Sequence, residues 1–285
     1  MDLSIIIVSY NISDLIGTCL TSVHAAHDID KEVFVVDNAS TDESADFVRK
    51  NFPSVSLVAN TENRGFAAAN NQILPQCKGR YVFFLNPDTE VVSGAFKEAL
   101  SYMDATPQVG LAGTKLINSD GTLHESVSYR YPGENYARRE LAILKGSIAC
   151  VQGSSMIARS DVIKTLGGFD EDFFLYGEDQ DLCLRIRKSG FEIGYIESAV
   201  VVHLGGQSER QTSLPELWRK KTAAELLFYR KHYLPETVVR IRRANLKQAY
   251  WRLATLNLTM PFLKDKAKAE AKLVKYRITC KAMRE

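Results

Sequence analysis

The chain has 285 residues, 45% hydrophobic and 25% charged, which is room for one large α/β domain with an appendage or for two modest domains. Its five cysteines are scattered without CxxC spacing, which speaks against a disulfide framework or a structural zinc site and fits a reducing cytoplasm. The net charge of +2 conceals a split: residues 209–285 carry 19 Lys and Arg against 7 Asp and Glu, and residues 1–208 carry 17 against 27, so an acidic body is joined to a basic tail suited to an anionic partner.

The opening stretch Leu3–Val8 is too short for a signal peptide or a membrane span, and no later run reaches about eighteen apolar residues. Ser4–Tyr10 is β-branched and apolar throughout, which predicts a strand buried on both faces. Leu15, Ile16, Cys19, Leu20 and Val23 recur at helical spacing within 11–26. Lys31–Val36 predicts a second strand, closed by Asp37-Asn38-Ala39-Ser40, with Ser40 or Thr41 as the expected cap of a helix over 43–51. A strand over 54–60, a helix over 65–76 and a strand over 81–85 follow, the last stopped by Asn86-Pro87-Asp88. The alternation is that of a doubly wound, mostly parallel sheet, in which loops at the carboxyl ends of the strands form the ligand crevice. Asp37, Asn38, Asn86 and Asp88 all stand at such ends.

A helix over 93–103, a strand over 109–116 and a turn at 118–121 come next, then an unassigned region over 124–150. Val151–Ala158 reads as a strand and Ile193–His203 as another, followed by Gly205 and Gly206. Between them, Gly167–Leu182 holds six carboxylates, and Glu178, Asp179 and Asp181 open a helix that ends before Gly190. Acids there complement the helix dipole, and the same acids are also available for chemistry. Asp88 is equally open between a turn former and a ligand for a divalent cation. His203 is open between a core histidine and a metal ligand. Residues 214–285 are helical in pattern, with breaks near Pro235 and Pro261. There is no Walker-type loop, no GxGxxG and no G-x-S-x-G elbow.

Taken in order, Ile7-Val8-Ser9-Tyr10-Asn11, Val35 to Ser40, Asn63-Arg64-Gly65-Phe66-Ala67, Phe84 to Asp88, Gly113 to Leu116 with Asp120-Gly121-Thr122, Gly167 to Arg185, and His203 resemble the family 2 glycosyltransferases, in particular a bacterial rhamnosyltransferase-like branch. The resemblance spans about residues 3–208. It implies a GT-A fold: a mixed, mostly parallel sheet flanked by helices in a catalytic domain over 1–212. Within it, 1–92 would bind nucleotide sugar and 93–212 acceptor, and 213–285 would form a basic amphipathic helical tail. It places Val8, Ser9, Tyr10, Asp37, Asn38, Arg64 and Asn86 around the donor nucleotide. Asp88 and His203 would hold a divalent metal, Mn2+ or Mg2+, and Asp179 would be the catalytic base. Glu178, Asp181, Tyr176 and Gly153 fall on the acceptor side. Asn86 stands where many members have Asp, which leaves one fewer anionic group near the metal.

The implied reaction is inverting transfer of a sugar, with L-rhamnose from dTDP-rhamnose foremost, to a glycan or lipid-linked oligosaccharide in cell-surface polysaccharide synthesis. The alternatives are a sugar nucleotidyltransferase, which lacks its Gly-rich basic loop here, and a decayed membrane-associated scaffold, which the intact Asp88, Asp179 and His203 oppose. Residues 238–285 interleave bases with Tyr250, Trp251 and aliphatic side chains, a mix suited to an anionic membrane surface. The acidic body argues against nucleic acid. The expected location is cytoplasmic, peripheral on the inner face of the membrane.

Overall fold

A computed structural model describes residues 1–204, 212–262 and 264–284; Gly205 and Gly206 lie outside the described residues. The elements of the first half are β1 (Leu3–Ser9), α1 (Ser13–Ala25), β2 (Lys31–Asp37), α2 (Ser44–Asn51), β3 (Ser56–Ala59), α3 (Gly65–Asn71), β4 (Tyr81–Leu85), β5 (Thr89–Val91) and α4 (Ala95–Ala105). Then come β6 (Val109–Asn118), β7 (Leu123–His124), β8 (Val127–Ser128), α5 (Glu134–Leu141), β9 (Cys150–Val151), β10 (Ser155–Arg159), α6 (Ser160–Thr165), α7 (Glu178–Lys188) and β11 (Glu192–His203). The chain continues through α8 (Leu214–His232), α9 (Pro235–Thr259) and α10 (Lys266–Arg284).

The main sheet runs β3-β2-β1-β4-β10-β6-β11-β5, with β7 added on β6. β1 is an interior strand, paired in parallel with β2 on one side and β4 on the other, and Ile5, Ile6 and Ile7, which alternate between its two faces, are fully buried. Each such side chain contributes about 1.5–3 kcal/mol on burial, which is why an unbroken β-branched run forms this strand. The core beside it joins Cys19, Leu20 and Val23 of α1 to Phe96, Ala99 and Met103 of α4. β10 runs antiparallel to both β4 and β6, and β5 runs antiparallel to β11. The sheet is therefore mixed, as expected for the GT-A layout, with β3-β2-β1-β4 parallel throughout and β6 parallel to β11.

Several local expectations are corrected. Neither Ser40 nor Thr41 caps α2: Ser40 Oγ accepts the Asn11 amide (2.9 Å), and Asp42 Oδ1 accepts the Ser44 amide (3.0 Å) at the helix start. The helix expected over 65–76 ends at Asn71, and Leu74–Gln76 continues as a 3-10 turn with Pro75 inside it. The strand expected over 151–158 is two strands, β9 and β10, split at Gln152–Ser154. The unassigned stretch contains β8, α5 and β9.

The chain divides into two compact units, Met1–Tyr131 with Leu144–Gln207, and Pro132–Ile143 with Ser208–Glu285. Residues 132–143, read from sequence within the acceptor half, thus group with the C-terminal helices. In that second unit Glu140 accepts hydrogen bonds from Thr237 Oγ1 (2.7 Å) and from the Leu234 amide (2.8 Å) at the start of α9. The breaks foreseen near Pro235 and Pro261 are present, between α8 and α9 and between α9 and α10. Among the described residues no helix is long and apolar enough to cross a membrane. All five cysteines are free and buried.

Candidate active site

The carboxyl ends of β1, β2 and β4 open on one side of the parallel sheet, as the strand register requires: Ser9 lies opposite Asp37, and Ile7 opposite Leu85. Asp37 is buried and already occupied, since its Oδ1 accepts from Ser9 Oγ (3.3 Å) and its Oδ2 from the Ser40 amide (3.0 Å). Asn38 is saturated. Its Nδ2 donates to Asn63 Oδ1 (2.9 Å) and the Gly65 carbonyl (3.1 Å), and its Oδ1 accepts from the Arg64 amide (3.0 Å) and Asn60 Nδ2 (3.1 Å). An amide side chain has two donors and two acceptor sites, so Asn38 offers a ligand the shape of the 60–65 loop. Arg64 is exposed just before α3, and Tyr10 is 44% exposed beyond β1. Val8 lines the end of β1.

Ala39, between these groups, has φ +65°, a left-handed conformation that costs a residue with a Cβ about 1–2 kcal/mol. Ala39→Gly is therefore expected to raise the unfolding free energy by up to about 1 kcal/mol, read as a higher urea midpoint. A lower midpoint would mean the turn is not strained.

Asp88 and His203, far apart in sequence, meet because β5 and β11 pair antiparallel with Thr89 opposite His203. The Leu204 amide donates to the Asp88 carbonyl (2.8 Å), which fixes the pair's backbones together. Both side chains are buried, and His203 Nε2 stands 3.5 Å from Asp88 Oδ1. That is long for a hydrogen bond. Burial holds His203 below its usual pKa, against the pull of the Asp88 carboxylate, so the imidazole is kept in its neutral, ligating form. Its Nδ1 is buried without a hydrogen-bond partner. One carboxylate oxygen and one imidazole nitrogen thus fit a divalent ion whose remaining positions go to phosphate or water. Among the described residues no cluster of three or more His, Cys, Asp and Glu exists that would hold an ion by protein groups alone.

His124, isolated in the sequence, is brought to this site by the short hairpin of β6 and β7. Its ring centroid is 5.0 Å from that of His203. Its two ring nitrogens are taken up by Asn118 Oδ1 and Gln152 Oε1, each at 3.0 Å. His124 therefore braces the Gln152–Ser154 turn. The Asn86 amide donates to the Ser154 carbonyl (2.9 Å), and the Gly153 amide donates to Asp179 Oδ2 (3.3 Å). The end of β4 and the start of α7 are thus joined through one three-residue turn. The sequence signal for that turn is Gln152-Gly153-Ser154-Ser155, a polar, glycine-bearing break between Val151 and Met156.

The acidic stretch divides into distinct parts. Phe173 is core, and the half-exposed Phe174 lends its carbonyl to the Phe66 amide (3.0 Å). A Cβ on Gly65 would lie 2.5 Å from that carbonyl, so only glycine lets the stretch dock onto α3. Tyr176 (φ +72°) and Gly177 (φ +84°) are both left-handed and swing the chain into α7. Asp181 is fully buried and bonded to Arg185 Nε (2.7 Å), and Arg185 also donates to the Leu166 and Gly168 carbonyls. It holds the loop. Asp179 is half-buried, with Oδ1 accepting the Gln180 amide (2.7 Å).

Burial raises the pKa of both Asp179 and Glu178, and the Asp179 charge pushes Glu178 further, up to about 8. Glu178 therefore keeps its proton through neutral pH, with the neighbouring Asp179 carboxyl as the charge that helps hold it there. Because the folded pKa of Glu178 lies above its unfolded value, its contribution to stability is complete below about pH 4.5 and is lost as pH rises through about 8. Glu178→Gln is expected to hold its Tm between pH 5 and pH 8.5 better than the parent chain, by thermal melts across that range. Parallel curves would remove Glu178 from the site's electrostatics.

Residues 2–224 match the family described as Glycosyltransferase like family 2. A curated relative, the N-acetylglucosaminyl-diphospho-decaprenol L-rhamnosyltransferase of Mycobacterium tuberculosis, is 26% identical over 231 residues, covering 70% of this chain and 75% of its own. Among solved structures, mannosyltransferase PcManGT from Pyrobaculum calidifontis in complex with GDP-Man and Mn2+ superposes with a TM-score of 0.62 at 19% identity, over 98% of this chain and 85% of that one. S. aureus TarS 1-349 in complex with UDP-GlcNAc gives a TM-score of 0.59 at 18% identity, over 100% and 91%. The fold is GT-A, and the chain belongs to glycosyltransferase family 2 and is a glycosyltransferase.

Proposed function

We propose that this glycosyltransferase moves L-rhamnose from dTDP-rhamnose to a lipid-linked glycan, with inversion, at the inner face of the cytoplasmic membrane. The observation that carries the mechanism is the single turn, Gln152–Ser154, that fixes the Asp179 carboxylate relative to the Asp88–His203 pair. The acceptor hydroxyl oxygen attacks the anomeric carbon, its proton passes to Asp179, and the bond to the diphosphate oxygen breaks in line. Glu178, kept protonated, leaves Asp179 as the ionised member of the pair. The Asp37–Asn38 turn, Ser9, Tyr10 and Arg64 frame the nucleotide, and the Asn86 side chain lies beside the diphosphate end. Asp88 and His203 are the residues that hold a divalent ion, Mn2+ or Mg2+. Such an ion supplies Lewis-acid neutralisation of the leaving diphosphate when bound. Tyr176 and Gly153 face the acceptor side, and Asp181 supports them through Arg185.

The donor sugar and the lipid-linked acceptor are inferred from the Mycobacterium tuberculosis relative, which its name describes as acting on N-acetylglucosaminyl-diphospho-decaprenol. Release of nucleoside diphosphate from a panel of nucleotide sugars, with metal and a prenyl-diphosphate-linked N-acetylglucosamine, tests it. dTDP-rhamnose is expected to give the fastest release. Preference for a UDP- or GDP-sugar would overturn the donor assignment and leave the base assignment standing.

A further inference from the structure

The second unit carries a basic helical hairpin whose turn is apolar. Over residues 238–285 there are 13 Lys and Arg against 3 Asp and Glu. α9 and α10 pack against each other, and Ile241 and Ala249 of the first and Leu273 and Cys280 of the second are buried. Toward the end of α9 the pattern reverses. Trp251 is 66% exposed, Leu258 75% and Phe262 85%; the seven-residue spacing sets Trp251 and Leu258 along one face of α9, and Phe262 follows in the 3-10 turn Met260–Phe262. In the flanking sequence Lys247, Arg252, Lys264, Lys266 and Lys268 are exposed, and so are the acids Asp265 and Glu270. The other tryptophan, Trp218, is by contrast engaged within the unit, with Lys275 Nζ 4.3 Å from its ring centroid.

We propose that this turn, Trp251–Phe262 with its basic rim, is a docking tip that inserts into an anionic lipid surface. An apolar tip ringed by bases is the composition of an interfacial anchor: aliphatic and aromatic groups enter the headgroup boundary while Lys and Arg meet lipid phosphates. A second copy of the chain fits poorly. A two-fold contact sets the same patch against itself, which would press Arg252, Lys264, Lys266 and Lys268 against their own copies. Three side chains also fall short of the roughly 800 Å² per partner of a stable interface. The inference rests on the lipid-linked-acceptor reading for its purpose, but its test reads lipid binding without turnover, so the two fail separately.

The chain has two tryptophans, so Trp218→Phe leaves Trp251 as the sole emitter. With phosphatidylcholine vesicles containing phosphatidylglycerol, the Trp251 emission is expected to shift to the blue and the chain to co-sediment. Both effects should weaken at high salt and be absent with phosphatidylcholine alone. Leu258→Glu with Phe262→Glu, at solvent-exposed positions, is expected to lose co-sedimentation while far-ultraviolet circular dichroism and nucleotide affinity stay at parent values. Absence of the shift, equal binding to neutral vesicles, or unchanged sedimentation of the double variant would each overturn the proposal. So would a concentration-dependent dimer in lipid-free buffer that the double variant abolishes, since the occupant would then be a second copy.

Discussion

Asp179→Asn is expected to lower turnover by roughly 10²–10⁴-fold, the contribution of a positioned general base, while nucleotide affinity stays at the parent value. The amide keeps the size of the carboxylate, but its single oxygen can accept from only one of the Gln180 and Gly153 amides, which bond separate oxygens of Asp179. What it loses is a group able to take a proton. The electrostatics set a second expectation for the parent enzyme. Burial lifts the Asp179 pKa, so the ionised base accumulates as pH rises, and kcat/KM climbs on the acid side through that raised value. In Asp179→Asn this acid limb disappears with the activity. Single-turnover kinetics with calorimetric nucleotide binding separates the two effects. Full turnover in the variant would remove Asp179 from the chemistry.

Asp88→Ala is expected to abolish the metal-dependent part of donor binding. Loss of a partner that only orients a ligand costs 10–100-fold in metal affinity, so loss of the ligand itself should cost at least about 100-fold. His203, with its neutral imidazole and unpartnered Nδ1, would remain as a single nitrogen donor. Calorimetry of nucleoside diphosphate with and without Mn2+ or Mg2+ reads this directly. The parent chain should bind more tightly with metal, and the variant equally with and without. A variant that keeps the metal enhancement would show that the ion is held elsewhere. The Ser9, Asp37 and Asn38 contacts lie on other strand ends, so metal-free affinity should survive the substitution.

Much of this was legible in the residues, for identifiable reasons. β1, β2 and β4 and the helices between them follow from apolar runs alternating with helical spacing, because the middles of those strands are buried, whereas β3 is short and only partly covered. Strand ends are equally legible, since Asp37-Asn38 and Asn86-Pro87-Asp88 break the apolar runs abruptly. The Gln152–Ser154 turn was not. The reading of Val151–Ala158 as one strand passes over the polar Gln152-Gly153-Ser154-Ser155 break, and nothing local reveals that the turn there reaches Asp179. His124 looked isolated because its partners, Asn118, Gln152 and His203, are gathered by hairpin and cross-strand pairing rather than by spacing. Asn38 shows a different limit. Its place at a strand end points to a ligand, whereas its four hydrogen bonds show a side chain spent on the loop. The α5 segment was illegible for a further reason: Ala137 is its one buried residue, so no apolar face announces the helix.

The central claim is a single-step displacement in which one carboxylate, Asp179, takes the acceptor proton while the diphosphate leaves from the Asp88–His203 side. Proton NMR of the freshly formed glycoside, compared with the donor, measures it most directly. The account predicts that the product carries the anomeric configuration opposite to that of the nucleotide sugar. Retained configuration would contradict it, because retention needs a second displacement or a face-retaining path that a single base does not provide.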